Sequence, residues 1–335
     1  MKQPLHAPIS TVDLVIPLFN EEDALLAFHQ QLLKVIDPLP YVFTILYVND
    51  GSTDHTAQRL AEIAASDRRV QVLELSRNFG HQAALTAGMD RSGSDYLITM
   101  DGDGQHPPEM IPEMLRLARA GYDMVLTQRV ENNKGSGFKR WTSTAFYRVL
   151  NRLGDTNVLP GGADFRLLSR PVVQALQGMP EYHRFLRGMV AWVGFRSVIL
   201  PFQPPERLAG SSKYSLRKMV RLSMDAIFSF SLVPLYAGLS LGALFFILAF
   251  VEAVYVLSFW VSGNTSQLAP GWSSLMFMLL IVGGLLMVLL GFIGVYIGYI
   301  FQEVKRRPVY ILRLPQDTAL PDHTSPQEGH DRVAE

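Results

Sequence analysis

The chain has 335 residues, enough for one large or two modest domains. Thirty Lys and Arg balance thirty Asp and Glu, so no global field favours nucleic acid, and the absence of Cys excludes disulfides, thiolate metal sites and thiol catalysis. Charged residues make up only 18% of the chain, below the roughly 25% of ordinary soluble domains, as expected if part of it lies in lipid.

Residues 1–11 form an N-terminal tail without the basic and then apolar stretches of a secretory signal, which leaves the N-terminal part in the cytosol. Apolar, β-rich runs follow at 12–18, 43–48, 70–75, 96–100 and 124–127, alternating with helical patterns. Each is too apolar to be half-exposed, so the pattern predicts an α/β fold with a mostly parallel sheet covered on both faces. Helices are expected after Asn20, after Ser52 or Thr53, and from Pro107 and Pro108. Polar loops close four of these runs: PLFNE at 17–21, NDGS at 49–52, SRNFG at 76–80 and DGD at 101–103. Ligands of an open parallel sheet bind beyond the carboxyl ends of its strands, so these loops predict one shared site.

From 129 to 205 the alternation loosens around Gly135, Gly137, Gly161 and Gly162, the pattern of substrate loops. The 184–193 stretch mixes Arg184, Arg187, Phe185 and Trp192, and reads either as an interfacial segment or as a buried helix. Residues 206–231 read as a basic amphipathic juxtamembrane segment, bearing Arg217, Lys218 and Arg221 off its apolar face. Residues 232–261 and 275–301 each exceed the roughly 20 residues needed to span a bilayer. Their uncharged connector, 262–274, is non-cytoplasmic by the positive-inside rule, and the tail at 302–335 is cytoplasmic with the catalytic part. Gly294 and Gly298 would let the second span pack against another helix, a basis for a homo-oligomer. Glu252, an acid in the first span, reads as a functional group or as an interfacial hydrogen-bonding one.

Asp101, Asp103 and Gln105 stand at alternating positions, which on an extended chain puts three oxygen ligands on one side. That set suits Mg²⁺ or Mn²⁺, with diphosphate oxygens and water completing the octahedron. His106, next to them, could bind the ion too, but just before Pro107 and Pro108 it reads rather as a residue behind the ligands or on the surface.

VIPLFNEE, VNDGSTD, SRNFGHQAALTAG and DGDGQHPPE together resemble the motifs of family-2, GT-A-fold glycosyltransferases. With ADFRLLSR at 163–170, RLAGSSKYS at 207–215 and two C-terminal spans, the chain is similar to polyprenyl-phosphate glycosyltransferases, including dolichyl-phosphate mannose synthases and bacterial undecaprenyl-phosphate sugar transferases. The resemblance implies a Rossmann-like GT-A domain over 12–205 and a bacterial inner-membrane enzyme, with UDP-glucose as first donor ahead of UDP-N-acetylglucosamine, another UDP-sugar or GDP-mannose. By resemblance, Pro17, Glu21, Asp50, Ser52 and Asp101 contact the nucleotide, and Arg207 and Lys213 hold the diphosphate. For Glu21 helix-start capping, and for Arg207 and Lys213 lipid-headgroup binding, are the alternatives. Arg129, Arg140 and Ser143 match the grip on the acceptor phosphate. Asp164 matches the acceptor-side aspartate, or else caps a helix running from 166 to 176; Asp103 and Asp164 with Arg207 and Lys213 make the catalytic set. The implied reaction is one inverting displacement, in which membrane lipid supplies an already anionic nucleophile. A glycan or glyceride acceptor is the alternative, and its hydroxyl would make Asp164 a true base. The chain departs from commoner family patterns at Gly104, His106 and Ser169, with the metal carboxylates intact.

Overall fold

The computed structural model describes residues 10–130, 159, 161–203, 205, 233–263 and 271–313. Arg140, Ser143, Arg207, Lys213 and the juxtamembrane segment lie outside them.

The first half alternates strand and helix: β1 Thr11–Leu18, α1 Leu25–Ile36, β2 Val42–Asn49, α2 Thr56–Ser66, β3 Val70–Glu74, α3 His81–Arg91 and β4 Tyr96–Thr99. A short 3-10 turn, Pro108–Met110, leads into α4 Ile111–Arg119, followed by β5 Met124–Arg129. Then come β6 Gly162–Ser169, α5 Arg170–Gln177, α6 Leu186–Trp192 and β7 Ser197–Phe202. Two long helices, α7 Val233–Val261 and α8 Trp272–Val304, close the described chain.

The seven strands form one sheet in the order β3-β2-β1-β4-β6-β5-β7. β1 pairs in parallel with β2 and β4, and β5 with β7, whereas β6 runs antiparallel to both β4 and β5. β1 shows why the apolar run is continuous. Val12, Leu14, Ile16 and Leu18 enter the core under α1 and α4, and Val15 enters the one under α3, α5 and α6. At about 1.5–3 kcal/mol for each fully buried aliphatic side chain, covering both faces favours the layered arrangement. Asp13, also buried, accepts hydrogen bonds from Ser92 Oγ (2.7 Å), Ser94 Oγ (2.6 Å) and the Gly93 amide (3.1 Å), which ties β1 to the turn before β4.

The five expected strands are present, and so is the helix opened by Pro107 and Pro108. Three local expectations are corrected. Asn20 does not cap a helix: it takes a left-handed conformation (φ 56°), its side-chain oxygen accepts the Thr53 amide at 2.8 Å, and α1 starts only at Leu25. α2 starts at Thr56, where the Asp54 carboxylate, not Ser52 or Thr53, accepts the first amide at 3.0 Å. Among the described residues of the loosened 129–205 stretch are two strands and two helices, and Asp164 lies within β6, so it caps no helix.

Among the described residues, one stretch, Ile281–Val304 of α8, is long and apolar enough to cross a membrane, and none of it is buried. α7 meets α8 where a Cβ on Gly238 would lie 2.3 Å from Leu289 Cδ2, whereas Gly294 and Gly298 face open space. Glu252 is on α7, with its side chain outside the described residues.

Candidate active site

Strand direction assembles the site. β6 runs antiparallel to β4 with Thr99 opposite Arg166, so Asp101, two residues after Thr99, comes level with Asp164, two residues before Arg166. Thr99 Oγ1 donates to the Asp164 carbonyl at 2.5 Å and fixes this register. β5 pairs with the start of β6, bringing Arg129 to the same edge.

Asp101 and Asp103 are neighbours through a turn rather than through alternation on a strand. β4 ends at Thr99, and the chain bends through Gly102 and through Gly104 at φ 77°. Gly102 lets the turn close on β1: a Cβ there would lie 2.4 Å from Leu18 Cδ2, which would have to shift. Asp103 Oδ1 accepts the Gln105 amide at 3.0 Å within this turn.

His106 is fully buried behind the turn, not on the surface. Its ring stacks on Phe165 with centroids 5.2 Å apart, and its Nδ1 accepts the Asp101 amide at 2.8 Å. Burial depresses its basicity, with Asp101 opposing and Arg129 reinforcing the shift, so the ring is neutral. An amide can only donate, so Nδ1 is the ring's acceptor and Nε2 bears the ring hydrogen; the 3.2 Å approach of Arg129 Nη2 to Nε2 is then a contact between two donors and not a hydrogen bond. The same guanidinium reaches Gln105 Oε1 at 3.4 Å, so that oxygen would have to give up a cationic neighbour to serve a metal ion.

Asp164 sits in a cage of cations. Its carboxylate receives Arg187 Nε at 3.1 Å and Nη2 at 2.8 Å, hydrogen-bonds the buried Arg166, and lies 3.6 Å from His81 Nε2. Burial alone would raise its pKa, but Arg187, Arg166 and His81 outweigh burial and hold the carboxyl well below the usual range. His81, the first residue of α3, also stands 3.4 Å from Asp101 Oδ1. Burial opposes its protonation, yet Asp101 and Asp164 push its pKa up to about 9, so it is cationic at neutral pH. The sequence patterns single out neither His81 nor Arg166, and Arg187 stands out only as part of a stretch that reads either as an interfacial segment or as a buried helix. HQAAL in the third-strand motif was the available signal for His81.

α6 buries Leu186, Met189 and Val190 and leaves Trp192 60% exposed, so the apolar members of this stretch belong to a core helix.

Beside this cluster, Asp50 is buried at the end of β2 and accepts the Phe79 and Gly80 amides at 2.7 and 2.9 Å. Burial raises its pKa, and the two amides offset part of that rise. Ser52 Oγ accepts the Asn20 amide at 3.0 Å, and the Glu21 amide donates to Thr56 Oγ1 at 3.0 Å. Pro17 is buried on β1 opposite Val48. The structure thus brings Pro17, Glu21, Asp50, Ser52, Asp101, Asp103, Gln105, Arg129 and Asp164 to one edge of the sheet.

Asp101 Oδ1 is buried and accepts no hydrogen bond. A carboxylate oxygen with only the His81 ion pair and no hydrogen bond, next to a second carboxylate in a tight turn, fits a hard divalent cation that draws its remaining ligands from phosphate and water. Among the described residues no group of three or more His, Asp or Glu forms a complete protein cage, so Asp101 and Asp103 would be the protein's share.

Residues 13–176 match the family model described as glycosyl transferase family 2, and similarity to individual proteins continues well beyond them. YkcC of Bacillus subtilis, an uncharacterized glycosyltransferase, is 39% identical over 304 residues, covering 90% of this chain and 92% of that protein. The chain belongs to glycosyl transferase family 2. The bactoprenol glucosyl transferase of Shigella phage SfII is 36% identical over 306 residues, 90% of this chain and 97% of its own. A prophage bactoprenol glucosyl transferase homolog of Escherichia coli K12 is 35% identical over 303 residues, with 90% and 98% covered. This family-2 protein is therefore a glycosyltransferase.

Proposed function

We propose that this glycosyltransferase moves glucose from UDP-glucose to a polyprenyl phosphate at the cytoplasmic membrane face, with inversion, giving a polyprenyl-phosphate-linked monosaccharide for cell-envelope glycans. The names of the bactoprenol glucosyl transferases support both the sugar and the acceptor class. The observation that carries the reading is the Asp164 cage. A carboxylate gripped by two guanidinium groups and a charged imidazole is a poor proton acceptor, so the site favours a nucleophile that needs no deprotonation. A lipid phosphate is such a nucleophile; a sugar or glyceride hydroxyl is not.

In this reading Asp164 holds Arg187 and His81 in place and positions the acceptor or the sugar. Pro17, Glu21, Asp50 and Ser52 seat the nucleotide. Arg129 grips the acceptor phosphate with Arg140 and Ser143, and Arg207 and Lys213 meet the diphosphate. Asp101 and Asp103, with Gln105 if it leaves Arg129, would hold Mg²⁺ or Mn²⁺, which when bound supplies charge stabilisation for the departing diphosphate. His81 adds a fixed positive charge between the two acidic groups, where negative charge develops on the leaving group. Two membrane spans, 232–261 and 275–301, tether the domain to the leaflet that contains the acceptor, with both termini cytoplasmic.

The acceptor class is tested by offering the purified full-length protein polyprenyl phosphate or the matching polyprenol with UDP-glucose and Mn²⁺. Transfer to the phosphate alone is expected. Equal transfer to the free alcohol would overturn the reading.

A further inference from the structure

After α8 the chain does not leave the domain. It turns at Arg306 (φ 48°) and runs back along β3, the outermost strand of the sheet. Ser76 donates its amide to the Ile311 carbonyl at 2.8 Å, Arg313 donates its own to the Glu74 carbonyl at 2.7 Å, and Leu75 forms an antiparallel bridge with Leu312. Tyr310 packs on the core beneath α3 and donates its hydroxyl to Asp90 Oδ2 at 3.1 Å. An open sheet edge is covered in this way, but the place of the cover is informative. Ser76 begins the loop 76–80, which ends with the Phe79 and Gly80 amides on Asp50 and is followed at once by His81. The end of α8 makes a second grip: Glu303 accepts the Tyr182 amide at 2.9 and 3.1 Å, and the Tyr299 ring meets His183 with centroids 4.7 Å apart. Tyr182 and His183 lead directly into α6, which bears Arg187.

We infer that residues 310–313 are a clasp that positions the loop between β3 and α3, which makes Tyr310 and Arg313 positioning residues for the donor half of the reaction. One helix end thus holds the loop carrying His81 and the segment leading to Arg187, on two sides of the Asp164 carboxylate. The strength lies in the backbone. The ionic contact of Arg313 Nη1 with Glu74 is long, 3.6 Å, and solvent-exposed, so it adds little. Arg313→Ala should therefore leave the clasp closed, while Arg313→Pro removes the amide that closes it.

The test is amide hydrogen exchange on the full-length protein in detergent, with residues 43–48 of β2 as internal reference, together with donor and acceptor KM values using UDP-glucose and polyprenyl phosphate. In Arg313→Pro and Tyr310→Ala, exchange at 76–83 is expected to rise about fivefold, the weight of one backbone hydrogen bond, with the reference unchanged. Donor KM should rise by a similar factor and acceptor KM should stay constant; a mere loss of folded protein would lower kcat and leave both KM values alone. Should Arg313→Pro fail to fold, Tyr310→Phe, which removes only the bond to Asp90, should move the same quantities less far. Unchanged protection at 76–83, or exchange that rises equally in β2, overturns the clasp. The inference rests on the glycosyltransferase site, and exchange needs no substrate, so failure of the clasp and failure of the donor assignment are separable.

Discussion

Arg187 grips Asp164 at two points, Nε to Oδ1 at 3.1 Å and Nη2 to Oδ2 at 2.8 Å, and this fork occupies the carboxylate edge facing α6. A lysine cannot reproduce it, because an ammonium is a point charge without the planar pair of donors. Arg187→Lys should lower kcat by at least about tenfold, since misplacing Asp164 and His81 disturbs geometry on which the reaction depends. Steady-state transfer assays check this, and a Lys variant with wild-type kcat would show that charge alone suffices.

Arg166 and Asp164 are both buried, so removing the Asp164 charge leaves the Arg166 guanidinium without its hydrogen-bonded carboxylate. Asp164→Asn should cost about 3–5 kcal/mol of stability, visible as a lower Tm in detergent. Adding Arg166→Met should recover much of that loss and none of the activity. A double variant no more stable than the single one would contradict the pairing.

The strands were legible in the sequence because burial on both faces of a parallel sheet leaves 12–18 and 43–48 mostly apolar, with Asp13 anchoring a turn and Thr44 only half-buried. The polar loops at 17–21, 49–52, 76–80 and 101–103 were legible for the same reason, since polar motifs end apolar runs. β6 was not. Its buried Asp164 and Arg166 break the apolar pattern, and they are tolerated only because they pair with each other and with Arg187 across 23 residues of chain. His81 shows the same limit: its meaning depends on an antiparallel register that sets Asp101 opposite Asp164, and no spacing in the chain encodes strand direction.

His81 gives the site a pH signature. Its pKa rises from 6.5 to about 9 in the folded protein, burial opposing and Asp101 and Asp164 producing the shift. For a raised pKa, the stabilisation is complete below pH 6.5 and is lost as pH climbs through about 9. With a chelator present, Tm should therefore fall across that window in the wild type and much less in His81→Gln. Parallel falls in the two proteins would place the titration elsewhere.

Gly51 has no freedom to change. At φ 65°, a Cβ would lie 2.4 Å from the Arg77 carbonyl carbon and 2.6 Å from the Asn78 nitrogen, both backbone atoms that no rotamer change can move. Gly51→Ala should cost at least about 2 kcal/mol and loosen the loop that supplies amides to Asp50. Thermal unfolding checks the cost, which a side-chain truncation at Arg77 should not relieve.

The turn bearing Asp101 and Asp103 should make transfer metal-dependent. A chelator should stop the reaction and Mn²⁺ or Mg²⁺ restore it, and Asp103→Ala should lower kcat at least about a hundredfold. Asp103→Ala with near wild-type turnover would remove this carboxylate from the diphosphate site.

The central claim is that this edge joins a nucleotide-linked glucose to a lipid phosphate. The most direct measurement supplies the purified full-length protein with radiolabelled UDP-glucose, polyprenyl phosphate and Mn²⁺, then extracts the lipid and determines the anomeric configuration of the bound sugar. The expected result is a labelled, acid-labile glucosyl phospholipid with configuration opposite to that of the donor. No labelled lipid from UDP-glucose, or a product of retained configuration, would contradict it.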